Sequence, residues 1–264
     1  MEQNKRKIEM VVFDWAGTMV DYGSQAPITV FARTFAKKGV ELTKEEINEP
    51  MGMEKKCHIR ELLKMERVAA VWKEKQGADW TEDDVQELYE IFENDLYQVV
   101  LDYTVPIDGV VETLAKLKEM GIKIGSTTGY TSAMMERVII QADEQGISPA
   151  TVITPDQVEG VSRPEPDMLF ACMKALDVES ATSVIKVGDT QMDIWEGKNA
   201  GAITVGLLTG SNIMGISKAE YATLTPEEVE ARKAKTREKY EEVGTDFVID
   251  NMTELLDVIA KLNQ

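Results

Sequence analysis

The stretch Ile8-Glu9-Met10-Val11-Val12-Phe13-Asp14-Trp15-Ala16-Gly17-Thr18 decides the fold. A short, mostly apolar run rich in β-branched residues ends at a carboxylate, and Gly17 follows where the chain must turn away. It reads as a buried strand that delivers Asp14 to a tight loop. Downstream, Val110, Val111, Leu114, Leu117 and Met120 recur at helical spacing, and Gly121 is placed to stop that helix. Residues 122–126, 151–154, 183–187 and 202–206 predict four more strands. Helices are expected through Met134, Val138 and Ile139 and from Pro166 to Leu176. Alternating strand and helix argues for a doubly wound parallel sheet, an α/β fold with helices on both faces. Right-handed crossovers then bring every strand's C-terminal end to one edge, the edge at which such sheets bind ligands. Asp14, Ser126, Thr127, Thr128 and Asp189 all fall there.

Residues 22 to about 100 break the alternation. Phe31, Phe35, Val68–Trp72, Val85–Phe92 and Leu96–Val100 suggest helices only, with Thr81 as an N-cap ahead of Glu82-Asp83-Asp84. We read residues 1–20 and 101–264 as the sheet core and 21–100 as a helical cap inserted after the first strand. The segment Thr225–Glu242 reads as a charged helix with a solvated face.

The chain has 264 residues, of which 43% are hydrophobic and 29% charged, as in globular proteins. Its 29 Lys and Arg stand against 47 Asp and Glu, a formal charge of −18, which disfavours nucleic-acid and membrane-surface partners. Cys57 and Cys172 have neither metal-ligand spacing nor a disulfide framework. The opening MEQNKRK has no apolar signal core behind it, so a cytoplasmic location is expected.

Carboxylates meeting at a sheet edge suit Mg²⁺, an oxygen-seeking cation that binds one or two protein carboxylates together with phosphate. Asp14 and Asp189 supply that pair, and Asp193 lies four residues on. The hydroxyls and backbone N–H groups of residues 126–129 can hold phosphoryl oxygens. Arg163 offers a bidentate guanidinium, and Pro164 beside it suits the first turn of a helix.

In order and over nearly the whole chain, these residues resemble the four motifs of the haloacid-dehalogenase-like (HAD) superfamily. The resemblance implies that Asp14 attacks phosphorus and becomes an aspartyl-phosphate, with Mg²⁺ held by Asp14, the Ala16 backbone carbonyl and Asp189, and Asp193 close by. HAD phosphatases usually carry a second Asp two residues after the nucleophile, to protonate the leaving alcohol. Here the position is Ala16, which cannot transfer a proton. Cleavage of a phosphonate avoids that need, because the departing carbanion requires an electron sink such as a lysine iminium. Pro50-Met51-Gly52-Met53-Glu54-Lys55-Lys56-Cys57-His58 offers candidates. Lys55 and His58, the only histidine, share a helix face, while Lys56 is an immediate rival.

These stretches resemble the phosphonoacetaldehyde hydrolase (phosphonatase) family, as do residues 124–131 and 186–190. The resemblance implies that Lys55 forms a Schiff base with the aldehyde and that Thr128, with Thr127, and Arg163 hold the phosphoryl group. It places Met51 and His58 at the imine, His58 as a proton carrier. It also implies acetaldehyde and phosphate as products and a homodimer joined through the cap. Met19, Ser24 and Asp167 depart from the family pattern. The rival readings are an ester phosphatase or phosphomutase on the same scaffold, a hydrolase of a related phosphonate aldehyde, and a non-catalytic dimeric binding protein.

Overall fold

The computed structural model describes residues 7–158 and 161–264. Strand β1 (Met10–Phe13) is followed by five helices, α1 (Gln25–Ala36), α2 (Lys44–Asn48), α3 (Lys55–Lys64), α4 (Glu66–Gln76) and α5 (Glu82–Tyr103). Alternation then resumes with α6 (Val110–Glu119), β2 (Lys123–Thr127), α7 (Ser132–Glu144), β3 (Thr151–Ile153), α8 (Asp167–Ala175), β4 (Val184–Gly188), α9 (Gln191–Ala200) and β5 (Ile203–Leu207). The chain closes with α10 (Lys218–Tyr221), α11 (Pro226–Glu242), β6 (Phe247–Ile249) and α12 (Leu255–Leu262). None of the described helices is long and apolar enough to cross a membrane.

The six strands form one parallel sheet in the order β3-β2-β1-β4-β5-β6. Strand β1 lies at its centre because all four of its residues are apolar and both of its faces are covered. Val11 and Phe13 join the large core on one face, and Met10 and Val12 pack with Leu169 and Cys172 on the other. The strand order reverses between β1 and β4, and Asp14 and Asp189 follow directly from those two strands. That is the topological switch point at which open α/β sheets place ligands.

The five-helix block has its own aromatic centre. The Phe31 and Phe92 rings lie 4.3 Å apart, and Trp72 and Leu88 are fully buried. It joins the sheet through two adjacent chain passages. Asp21 N–H donates to Val105 C=O at 3.2 Å, and Ile107 N–H donates to Met19 C=O at 3.0 Å. The start of α1 is capped by Asp21, whose carboxylate accepts from Gln25 N–H at 2.8 Å and Ala26 N–H at 3.0 Å. Thr81 forms the expected cap of α5, in a reciprocal box with Asp84.

Three local readings change. Pro164 does not open a helix, because α8 begins at Asp167 and Arg163-Pro164 is a cis peptide in the preceding loop. Strand β6 is absent from the sequence reading, since a three-residue, half-buried edge strand leaves little apolar signal. Helix α11 is not solvated all round. Tyr240 is fully buried against Gly206 and donates its hydroxyl to Leu207 C=O at 2.9 Å, which anchors the helix on the sheet.

Candidate active site

Asp14 emerges from β1 with its N–H bonded to Val187 C=O at 3.0 Å. The loop after it is drawn in by the Trp15 carbonyl, which accepts from Thr18, Met19 and Val20 N–H, whereas the Ala16 carbonyl has no hydrogen-bond partner among the described residues. Gly17 sits at φ +81°, where a Cβ would fall 1.9 Å from Asp189 Oδ2. Only glycine lets the loop pass so close to that carboxylate.

Asp189 is fully buried and is held by Asn212 N–H at 2.8 Å, Ser24 Oγ at 3.2 Å and, more weakly, Thr18 Oγ1 at 3.4 Å. Asp193 closes the capping box of α9 with Thr190, and its other oxygen lies 2.9 Å from Arg163 Nη1 and 3.0 Å from Lys186 Nζ. Oxygens of Asp14, Asp189 and Asp193 all lie within 4.8 Å of one another.

Arg163 is buried to 2% exposure and makes four polar contacts. Nη1 reaches Asp14 Oδ1 at 2.6 Å as well as Asp193, Nε reaches Glu196 Oε2 at 2.9 Å, and Nη2 donates to Thr127 Oγ1 at 2.7 Å. Lys186, fully buried in β4, donates to Thr127 Oγ1 at 2.7 Å and lies 2.9 Å from Glu196 Oε2. Thr127 in turn donates to Glu196 at 3.0 Å. Its hydroxyl is therefore committed beneath Arg163, and that of Ser126 accepts from Trp15 Nε1 at 2.9 Å. Thr128 Oγ1 accepts from Tyr130 N–H at 3.1 Å and lines the cavity over Asp14.

The cluster carries four buried carboxyl groups, Asp14, Asp189, Asp193 and Glu196, against two basic side chains, Arg163 and Lys186. Burial first, and then the charge of Asp193, pushes the Asp14 carboxyl above its ordinary range despite Arg163 and Lys186. Burial, then Asp14 and Asp193, pushes Asp189 well above its own. Burial also opposes ionisation of Asp193, but Arg163, Lys186 and the Thr190 hydroxyl outweigh it and hold that carboxyl below the usual range. More buried carboxyl groups than basic side chains, an Ala16 carbonyl with no partner among the described residues and converging carboxylate oxygens fit a divalent cation with hard oxygen ligands.

The helical block reaches the same point. Lys55 is the first residue of α3, 3% exposed, and its Nζ lies 5.0 Å from the Tyr130 ring centroid and 5.9 Å from that of Phe31. Nζ has no hydrogen-bond or ion-pair partner among the described residues. Burial brings its pKa down to about 8, with Asp14 and Glu54 pulling the other way. Lys56, the rival, instead lies over the Tyr89 ring at 5.4 Å and does not line the cavity. His58 is fully buried and stacked on Phe31 at 3.9 Å, with neither ring nitrogen hydrogen-bonded. Burial, and then Lys55, holds its pKa well below 6.5.

The two parts of the molecule meet tightly around this point. A Cβ on Gly52 would lie 2.5 Å from Thr190 Oγ1, and one on Gly129 would lie 2.5 Å from Met53 C=O. A cavity of only about 20 Å³, lined by Asp14, Met51, Lys55, Thr128, Arg163 and Thr190 among others, remains between them. That is room for roughly one water.

Among the departures, Ser24 lines the cavity while Met19 is buried in the core and Asp167 is exposed at the start of α8. Glu196 and Asn212 are central here and carried no sequence signal. Glu196 lies past the recognisable Asp189–Asp193 stretch, and Asn212 acts through its backbone.

Residues 11–207 match the family described as haloacid dehalogenase-like hydrolase, and residues 161–255 match a related HAD-hydrolase-like family. The chain is 45% identical over 258 residues to a phosphonoacetaldehyde hydrolase of Bacillus cereus (strain G9842), covering 98% of this chain and 97% of the relative. It is also 45% identical over 256 residues to the bifunctional phosphonoacetaldehyde hydrolase/aminoethylphosphonate transaminase of Clostridioides difficile (strain 630). That alignment spans 97% of this chain but only 40% of the relative. The crystal structure of a phosphonoacetaldehyde hydrolase-like protein from Oleispira antarctica superposes with a TM-score of 0.95 at 35% identity, covering 98% of this chain and 94% of that one. The chain belongs to the phosphonoacetaldehyde hydrolase family of haloacid dehalogenase-like hydrolases.

Proposed function

We propose that this enzyme hydrolyses phosphonoacetaldehyde to acetaldehyde and phosphate, using Lys55 to form a Schiff base and Asp14 to accept the phosphoryl group. The observation that carries the reading is the approach of a desolvated, unpaired lysine on the helical block to a buried aspartate on the sheet, across a cavity whose Ala16 offers no acid. At a pKa of about 8, part of the Lys55 population is a neutral amine near neutral pH.

The amine adds to the aldehyde and water leaves, giving an imine that is protonated to the iminium. His58, one helical turn along the same face and kept neutral by burial, is assigned the proton transfers of this step. An Asp14 carboxylate oxygen then attacks phosphorus. The P–C bond breaks, and its electron pair passes into the C=N unit to leave an enamine on Lys55. Protonation at carbon and hydrolysis release acetaldehyde, and a second water cleaves the aspartyl-phosphate to restore Asp14.

Arg163 and Thr128 hold the phosphoryl oxygens, and Thr127 and Glu196 hold Arg163 in place. Mg²⁺ bound by Asp14, the Ala16 carbonyl and Asp189, with Asp193 adjoining, supplies positive charge for the phosphoryl oxygens and the surrounding carboxylates. Met51 and Tyr130 exclude water from the imine.

The test is direct. Equimolar phosphate and acetaldehyde should appear from phosphonoacetaldehyde, and only with Mg²⁺ present. Efficient turnover of sugar phosphates with no release from the phosphonate would favour an ester phosphatase instead.

A further inference from the structure

The cavity over Asp14 is too small to admit a phosphonate as it stands, so the substrate has to arrive along the seam between the helical block and the sheet. The openings on that seam differ in where they lead, and the one of about 460 Å³ beside Pro50, Met65 and Trp195 shares no residue with the small cavity. A cleft of about 380 Å³ runs between α2 and the face of α11, and Met51 and Thr190 line both this cleft and the small cavity. Its floor includes Asn212, whose backbone holds Asp189 and whose side chain donates to Asn48 Oδ1 at 3.0 Å across the seam.

The walls of the cleft carry a charge opposite to that of the molecule. Arg232, Lys235 and Lys239 recur at i, i+3 and i+7, so one stripe of α11 faces the cleft. None of the three has an ion-pair partner within 4 Å among the described residues, and Lys44 across from them reaches only Glu220, at 3.8 Å. Glu45 and Glu49 are the acidic residues of the lining. In a chain of formal charge −18, exposed cations lining one cleft concentrate positive potential there and draw in anions that the rest of the surface repels.

We infer that this cleft is the entrance through which the phosphonate anion reaches the buried site, with Arg232, Lys235 and Lys239 steering it towards Thr190 and Met51. The inference rests on the phosphonate reading above, and names the route by which that site is filled.

The test uses two probes on the Mg²⁺-loaded full chain. Inorganic phosphate is mixed rapidly with the protein, and its binding is followed by the change in tryptophan fluorescence. In the double variant Lys235→Gln/Lys239→Gln, the association rate should fall roughly three- to tenfold at low ionic strength, and the gap should close as salt screens the field. Glu45→Gln should move the rate the other way. Unchanged association in the double variant would overturn the proposal. So would a fall in Glu45→Gln as well, because charges that merely pull the seam shut would lose from either side.

The second probe is kcat/KM for phosphonoacetaldehyde, which should follow the same order. Absence of turnover by the wild type would overturn the phosphonate reading, while the phosphate arm would still decide the entrance.

Discussion

Arg163 Nη1 lies 2.6 Å from Asp14 Oδ1, with both side chains almost entirely withdrawn from solvent. A guanidinium set directly on the proposed nucleophile lies where the proposed chemistry brings the phosphoryl oxygens, and Glu196 and Thr127 fix it from behind. Removing it would leave Asp14, Asp193 and Glu196 buried without their shared partner. Arg163→Met should therefore destabilise the metal-free protein by about 3–5 kcal/mol, the cost of breaking a buried pair from one side. Arg163→Lys restores the charge but not the fork, and should recover stability more than turnover. Urea unfolding and phosphate release on the same samples check both.

Gly52 meets Thr190 at the seam, and a methyl group there has no room. Gly52→Ala should hold the helical block away from the sheet and lower kcat roughly a hundredfold, as a misplacement of about 1 Å does. The strained φ of +94° should cost stability no more than about 1–3 kcal/mol. Thermal unfolding beside steady-state kinetics separates the two effects.

Asp14 and Asp189 both have raised pKa values, so protons compete for the oxygens that a divalent ion would use. Saturating Mg²⁺ should stabilise the protein by about 3 kcal/mol at a hundred times its Kd. That gain should shrink as pH falls and the carboxyls take up protons. Unfolding curves with Mg²⁺ and with a chelator, at several pH values, read the effect.

Lys55 is charged in the unfolded chain up to about its ordinary 10.5 but loses its proton near 8 when folded. The unfolded state thus binds more protons between these values, and stability should rise with pH across that window by on the order of 3 kcal/mol. Below pH 8 the cost of burying the ammonium is fully present. Lys55→Met should remove this part of the slope, which urea unfolding from pH 7 to 10.5 would detect.

The sheet was legible because its central strands are short, mostly apolar runs leading into Asp14 and Asp189, and the site because its motif residues stand directly after those strands. What escaped the sequence was what folding alone creates. Glu196 looks like an ordinary helix residue until Thr127, Arg163 and Lys186 close on it. Helix α11 reads as solvated because only Thr236 and Tyr240 of its residues are buried while three of its cations turn into a cleft. Lys55 and Lys56 differ by one position on a helix; the Pro50-Met51-Gly52 register favours Lys55, and the packing of Tyr130 and Phe31 is what sets its desolvated amine apart from its neighbour.

That separation also sets the most direct test. Phosphonoacetaldehyde and borohydride added together should leave a reduced, stable adduct on the peptide that contains Lys55, in an amount that increases as pH rises through about 8. The adduct should be absent in Lys55→Arg. Mass spectrometry that finds the adduct on Lys56, or finds none while phosphate release continues, would contradict the account.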